Sequence, residues 1–120
     1  MLFDTTQLAL QRAISGASVR QEALAANIAN ADTPGYRRVD VDFHSALTAA
    51  MSASNPSAAL SGATFTPQAD RSAGATRADG NTVDIDSESS KLAANALEQQ
   101  AAVQVAQARI HILESAIGGK

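Results

Sequence analysis

Apolar and small residues recur along the first quarter of the chain at alternating steps of four and three: Leu10, Ile14, Ala17, Gln21, Leu24, Ile28 and Ala31. That spacing is a heptad stripe with one polar interruption, and it predicts a helix over residues 5–30. Asp4 stands where an N-cap belongs, with Gln7 three residues on, and Phe3 and Leu8 have the spacing of a hydrophobic staple across it. A helix of that length would run roughly 40 Å at 1.5 Å per residue. Arg12, Arg20 and Glu22 fall off the stripe.

A second stripe near the other end keeps the same alternation without a slip: Leu92, Ala96, Gln99, Val103, Ala106, Ile110, Leu113 and Ile117. Asp84 or Asp86 can cap this helix, Asp86 and Glu88 suit its positive end, and Gly118-Gly119 stops it.

Between the stripes the pattern changes twice. Thr33 precedes proline, which ends the first helix, and Pro34-Gly35 fits the central positions of a type II turn. Val39, Val41 and Phe43 then alternate with Arg38, Asp40 and Asp42, a short extended stretch with one apolar face. Asp42 can cap a short helix in which Phe43, Leu47 and Ala50 or Met51 share a side. Residues 52–78 are rich in Ser, Ala, Gly and Thr and lose all periodicity, which reads as a flexible linker in which Leu60 and Phe65 stand isolated. Order resumes at the Asp79-Gly80-Asn81 turn signal.

The predicted fold is therefore mainly α: two long terminal helices pairing as a coiled coil, joined by a turn, an extended segment, a short helix and a flexible linker. The segments are 1–31, 32–51, 52–78 and 79–120. On pattern alone the stripes can pair with each other or with neighbouring copies. Leu8, Val19, Val105 and Ile112 lie off both stripes, so a two-helix pair leaves apolar surface for other chains to cover.

Composition narrows the function classes. The chain has 120 residues and only four aromatics, one Tyr and three Phe, with alanine supplying much of its apolar content. Alanine buries little area, so stability should come from long helix seams. A net charge of −3 with no basic block argues against nucleic acid or an anionic membrane as partner. There is no cysteine and hence no thiol chemistry. The expected absence of a basic, apolar leader points away from a cleaved signal peptide.

Candidate chemistry is sparse. Counting an EF-hand from Asp84 puts Ser89 and Asn95 where Gly and Glu are needed, so the acidic cluster reads as a helix cap. His44 and His111 lack ligand partners at metal spacing, and no Gly-x-Ser-x-Gly elbow or phosphate loop occurs. No catalytic, cofactor or metal residues are expected. Arg37-Arg38 reads as a solvated pair or as a contact to an acidic patch on a neighbouring subunit.

Residues 26–36, ANIANADTPGY, resemble the N-terminal signature of bacterial flagellar axial proteins, those of the rod and hook. The wider pattern Arg20-Gln21, Leu24-Ala25, residues 27–37, Asp40 and Asp42-Phe43 resembles the proximal-rod family within that group. Asp79-Gly80-Asn81, residues 83–86, Glu88, Leu92-Ala93, Asn95, Leu97 and Gln100-Ala101 are similar to its C-terminal pattern. Gln99 stands where an aromatic is expected, a polar group in the seam that trades stability for register.

The resemblance implies a structural subunit of the flagellar basal-body rod, the drive shaft joining the membrane ring to the hook, and not an enzyme. It implies export by the flagellar type III apparatus without a cleaved signal, a periplasmic location, and a helical array of paired terminal helices. Partners would be further copies, other rod proteins and the ring–rod junction protein, with no nucleic acid, small-molecule substrate or cofactor. The assembly seams would be Leu10, Ile14, Ala17, Leu24 and Ile28 on the first helix and Leu92, Ala96, Val103, Ala106, Ile110, Leu113 and Ile117 on the last. Asn27, Asn30, Asp32, Thr33, Pro34, Gly35, Tyr36 and Phe43 would form a turn and intersubunit segment. The competing readings are another export-linked axial component and a soluble helical-hairpin adaptor.

Overall fold

The computed structural model describes residues 4–72, 74 and 76–119. Asp4 accepts a 2.8 Å hydrogen bond from the Gln7 amide and starts α1 (Thr5–Ala29). The Phe3 side of the expected staple lies outside the described residues. Asn30 caps the other end, its amide bonding the Ala26 carbonyl. Asp84 accepts from the Asp86 and Ser87 amides at the start of the last helix (Ile85–Gly118), and Gly119 closes it with a left-handed φ of 64°. Each boundary follows from cap chemistry encoded within a few residues.

The two long helices pack antiparallel: Asn27 faces Glu88, Ala17 faces Asn95, and Asp4 faces Arg109. The molecule extends 64 × 31 × 15 Å. Between the helices in sequence come β1 (Val39–Asp40), α2 (Phe43–Met51), α3 (Pro56–Ser61) and β2 (Gln68–Ala69), with the last helix as α4. β1 and β2 pair antiparallel, Val39 opposite Ala69 and Asp40 opposite Gln68. This arm lies against α1.

The core sits between the arm and α1. Phe43, 1% exposed, packs with Ala17, Ala23 and Val41, and Val19, Val39, Leu47 and Phe65 lean on that cluster. Gly16 makes the close approach possible, because a Cβ there would lie 2.7 Å from both Cβ and Cγ of Phe43. In α2 it is Ala50 that turns inward, while Met51 is exposed.

Residues 52–78, expected to hold no elements, contain α3 and β2. Asn55 accepts from the Ala58 amide and Pro56 stands at the helix start, a pairing of N-cap and proline that starts a helix of six residues. Leu60 is fully buried, and Arg12 of α1 donates a 2.8 Å bond to the Ser61 carbonyl. One anchored leucine outweighs the loop-like composition around it.

Candidate functional site

The end of α1, the turn after it and the start of α4 meet in a buried polar junction. Asn27 is its first part. The Asn27 amide accepts from the Val39 N–H at 2.9 Å and donates to the Val39 carbonyl at 2.7 Å, so one side chain acts as the missing strand beside β1. It also accepts from the Tyr36 hydroxyl at 3.3 Å and donates to Glu88 at 3.0 Å. Neither a leucine nor an aspartate could supply both halves of that pairing.

The second part is a pair of turns. Thr33 to Tyr36 closes with the Tyr36 amide on the Thr33 carbonyl and Gly35 at φ 73°, as a type II turn requires. Against it lies the turn closed by the Gly80 amide on the Arg77 carbonyl, with Gly80 at φ 84°. The Gly35 amide donates to the Asp79 carbonyl at 2.8 Å, and a Cβ at Gly80 would stand 3.4 Å from the Gly35 Cα. Asn81 ties the two together. Fully buried, its amide faces the carbonyls of Asn30, Ala31 and Thr33 at 2.8–3.0 Å and accepts from the Val83 amide at 2.7 Å. From a position far along the chain it holds the C-cap and turn carbonyls that follow α1.

The third part is ionic. Arg38, 3% exposed, donates through Nε to Glu88, through Nη1 to Asp70 and through Nη2 to Asp40 at 3.2 Å. Arg20 of α1 holds the other side of Asp40 at 2.8 Å. Burial pulls the Arg38 pKa down, but its bonds to Glu88 and Asp40 outweigh that and raise it above the ordinary value. Burial likewise pushes Asp40 up, and Arg20, the Val41 amide and Arg38 together hold it below the usual carboxylate range. The Ser72 hydroxyl and amide, with Arg38, lower Asp70 despite its desolvation.

The expected solvated or intersubunit role for Arg38 is thereby corrected: its acids belong to its own chain, while Arg37 stays exposed. Glu88, expected as a helix-end charge, is 1% exposed and accepts on both oxygens. Among the seam residues, Ala17, Leu24 and Ala106 are buried, and Leu10, Ile14, Ile28, Leu92, Ala96, Val103 and Leu113 are half-buried. Ile110 and Ile117 are exposed, because α4 runs on past the Asp4–Arg109 contact that marks the start of α1. In the turn segment, Asp32, Thr33, Pro34 and Gly35 are exposed, and Tyr36 and Asn30 are half-buried. Asn27 and Phe43 are interior residues, since one pairs with β1 and the other fills the core.

Asn95 takes the part expected of Gln99. It is fully buried and donates at 2.8 Å to both the Ala17 carbonyl and the Gln21 side chain, the polar interruption of the first stripe. A signal was available: Glu88, Asn95 and Arg109 recur at multiples of seven, and each touches α1. A polar row thus runs beside the apolar stripe.

This is a helix pair locked by a polar junction rather than arranged around a reactive group, the construction of a structural subunit. The family model described as "Flagella basal body rod protein" matches residues 8–37, covering most of α1, its cap and the turn. The chain is 39% identical over 105 residues to "Flagellar basal body rod protein FlgB" of Escherichia coli (strain K12), covering 75% of this chain and 76% of that one. It is 40% identical to the protein so named in Salmonella typhimurium, covering 79% and 80%. To that of Bacillus subtilis (strain 168) it is 31% identical, covering 99% and 98%. The chain belongs to the FlgB family and is a component of the flagellar basal-body rod. This family is structural and does not consist of enzymes.

Proposed function

We propose that this chain self-assembles through its terminal helices into a helical array that forms part of the rod and transmits torque from the membrane ring to the hook. The helices act as a coiled coil within each subunit and pack against those of neighbouring copies. Head-to-tail contacts of this kind build an open helical assembly, in which load is shared over many small side-chain contacts. Its partners are further copies, other rod proteins and the ring–rod junction protein. The flagellar type III apparatus exports it without a cleaved signal to a periplasmic position. The chain works in four parts, 1–31, 32–51, 52–78 and 79–120, and the exposed turn at residues 32–35 reaches the adjoining subunit.

The supporting observation is a second apolar stripe on α4. Leu97, Ala101, Val105, Ala108 and Ile112 recur at steps of four and three, and all are exposed. At 100° per residue they fall on the side of α4 opposite the seam with α1. Leu97 and Ile112 are each 68% exposed, far more apolar surface than a lone helical hairpin gains from showing to water.

Deleting the gene in its host should leave non-motile cells without complete hook–basal bodies; motile cells with complete ones would overturn the reading. Ile112→Asp changes only the outward stripe. It should keep the isolated protein's helicity and abolish motility, and normal swimming would exclude that stripe from the assembly.

A further inference from the structure

Arg38 gathers carboxylates from three separate parts of the chain: Asp40 in β1, Asp70 just beyond β2, and Glu88 in the first turns of α4. Glu88 in turn spends its other oxygen on Asn27 of α1. Arg38 keeps Asp40 and Asp70 if Glu88 is withdrawn, but among the described residues Arg38 is the one cation that reaches Glu88. With α4 lifted from α1, Glu88 leaves and the Arg38 cluster opens to water on that side. With the arm unfolded, Glu88 stays against α1 with only a neutral amide for company. A buried charge stripped of its counter-charge is strongly disfavoured, so the state with α4 seated and the arm unfolded is the costly one.

We propose that Arg38 and Glu88 couple the order of the arm, residues 36–72, to the pairing of the terminal helices. An ordered arm then favours the seating of α4 on α1, and a seated α4 favours an ordered arm. This holds whether or not the chain assembles as proposed above, because every contact in it is intramolecular. The Asn27 amide transmits the same linkage, since Val39 of β1 and Glu88 of α4 bond to one side chain. The arm's backbone reports on it too: the Asp70 amide bonds the Arg38 carbonyl at 3.0 Å, and the Arg38 amide bonds the Thr82 hydroxyl at 2.9 Å.

Coupling of this kind must be reciprocal. The test is hydrogen exchange read by mass spectrometry on the full chain, with peptides from the arm and from the start of α4 followed separately. Glu88→Gln puts an NH2 where one of two acceptors is needed, facing either the Arg38 Nε or the Asn27 amide, both donors. It should speed exchange of arm amides at least tenfold. Asp70→Asn changes only the arm and should speed exchange at residues 85–92 as well as around β1. The double variant Arg38→Met/Glu88→Met removes both charges together; it should fold, and adding Asp70→Asn to it should no longer reach α4. If Glu88→Gln alters α4 alone, or Asp70→Asn alters the arm alone, the coupling is refuted. Should Glu88→Gln fail to fold, the Asp70→Asn comparison decides by itself.

Discussion

Replacing Gly16 with alanine sets two known effects against each other. In an exposed helix interior the change gains about 1 kcal/mol, because glycine loses the most backbone freedom on folding. Here the new methyl would stand 2.7 Å from two atoms of Phe43 and 2.9 Å from a third. Carbon atoms settle at ~3.5–4.0 Å, so α1 and α2 must part by about 1 Å or the ring must leave. The ring has little freedom to move. Its nearest atoms are Cβ and Cγ, close to the backbone, it is stacked on His44 with centroids 4.1 Å apart, and it meets Phe65 edge-on at 6.3 Å.

Overpacking of this kind costs about 1–3 kcal/mol, so the net expectation for Gly16→Ala is a loss of about 1 kcal/mol. Urea unfolding followed by far-ultraviolet circular dichroism measures it. The stronger form uses a second background. Phe43→Gly, which also removes the Cβ that an alanine would keep, should cost about 4–6 kcal/mol, and with both close atoms gone Gly16→Ala should become stabilising by about 1 kcal/mol. The sign reversal amounts to a coupling of about 2 kcal/mol, well beyond the ~0.5 kcal/mol scatter of independent sites. Gly16→Ala stabilising equally in both backgrounds would mean that α2 does not pack on α1 at this point.

Gly35→Val should destabilise the turn by about 1–2 kcal/mol through its positive φ alone, since no atom lies near the added Cβ, while Gly35→Asn should be nearly neutral; proton NMR of the turn separates the two. Asn81→Ala leaves the Ala31 carbonyl without its donor and the Asn30 and Thr33 carbonyls with only their backbone bonds, and should lower stability by about 1–3 kcal/mol in urea titrations, with the loss of structure confined to the turn after α1. Asp40 and Asp70 both have folded pKa values below the ordinary carboxylate value, so their contribution is present above about pH 4 and is lost as pH falls through the lowered values. Titration should therefore show the junction loosening below about pH 4, and Asp40→Asn should flatten that acid limb. Asn95→Leu should leave stability unchanged or raise it, and should loosen the helix register, read as crosslinks one heptad out of place between cysteines introduced on α1 and α4.

What could be read from the sequence was local. Asp4, Asp42 and Asp84 mark helix starts through bonds spanning two or three residues, and Gly119 ends α4 through its own left-handed φ, so these starts and this stop were visible before any tertiary contact was known. The positive φ at Gly35 followed from its place after proline for the same reason. The interior of the junction was not visible. Arg38 looks like half of a surface pair because its partners Asp70 and Glu88 lie 32 and 50 residues away. Asn81 looks like an ordinary turn residue because the carbonyls it serves, in the turn after α1, lie about 50 residues earlier in the chain. Asn55-Pro56 did carry a start signal, but a six-residue helix amid Ser and Ala has no periodicity to support it, and only the burial of Leu60 decides the matter.

The polar row on α4 shows why an alanine-rich hairpin needs such residues. Both seams hold Leu, Ile, Val or Ala with a single Gln each, so a slip of one heptad would still set apolar side chains against apolar side chains at most positions. Glu88, Asn95 and Arg109 make the slip expensive at three separate levels, because each meets a different polar partner on α1: Asn27, the Ala17 carbonyl with Gln21, and Asp4. Asn27 and Glu88 also bind the arm, so the register that seats α4 is the one in which β1 finds its side-chain partner and Arg38 its third acid. Apolar burial makes the two helices adhere; the polar row selects one alignment, and only that alignment completes the junction beside the exposed turn.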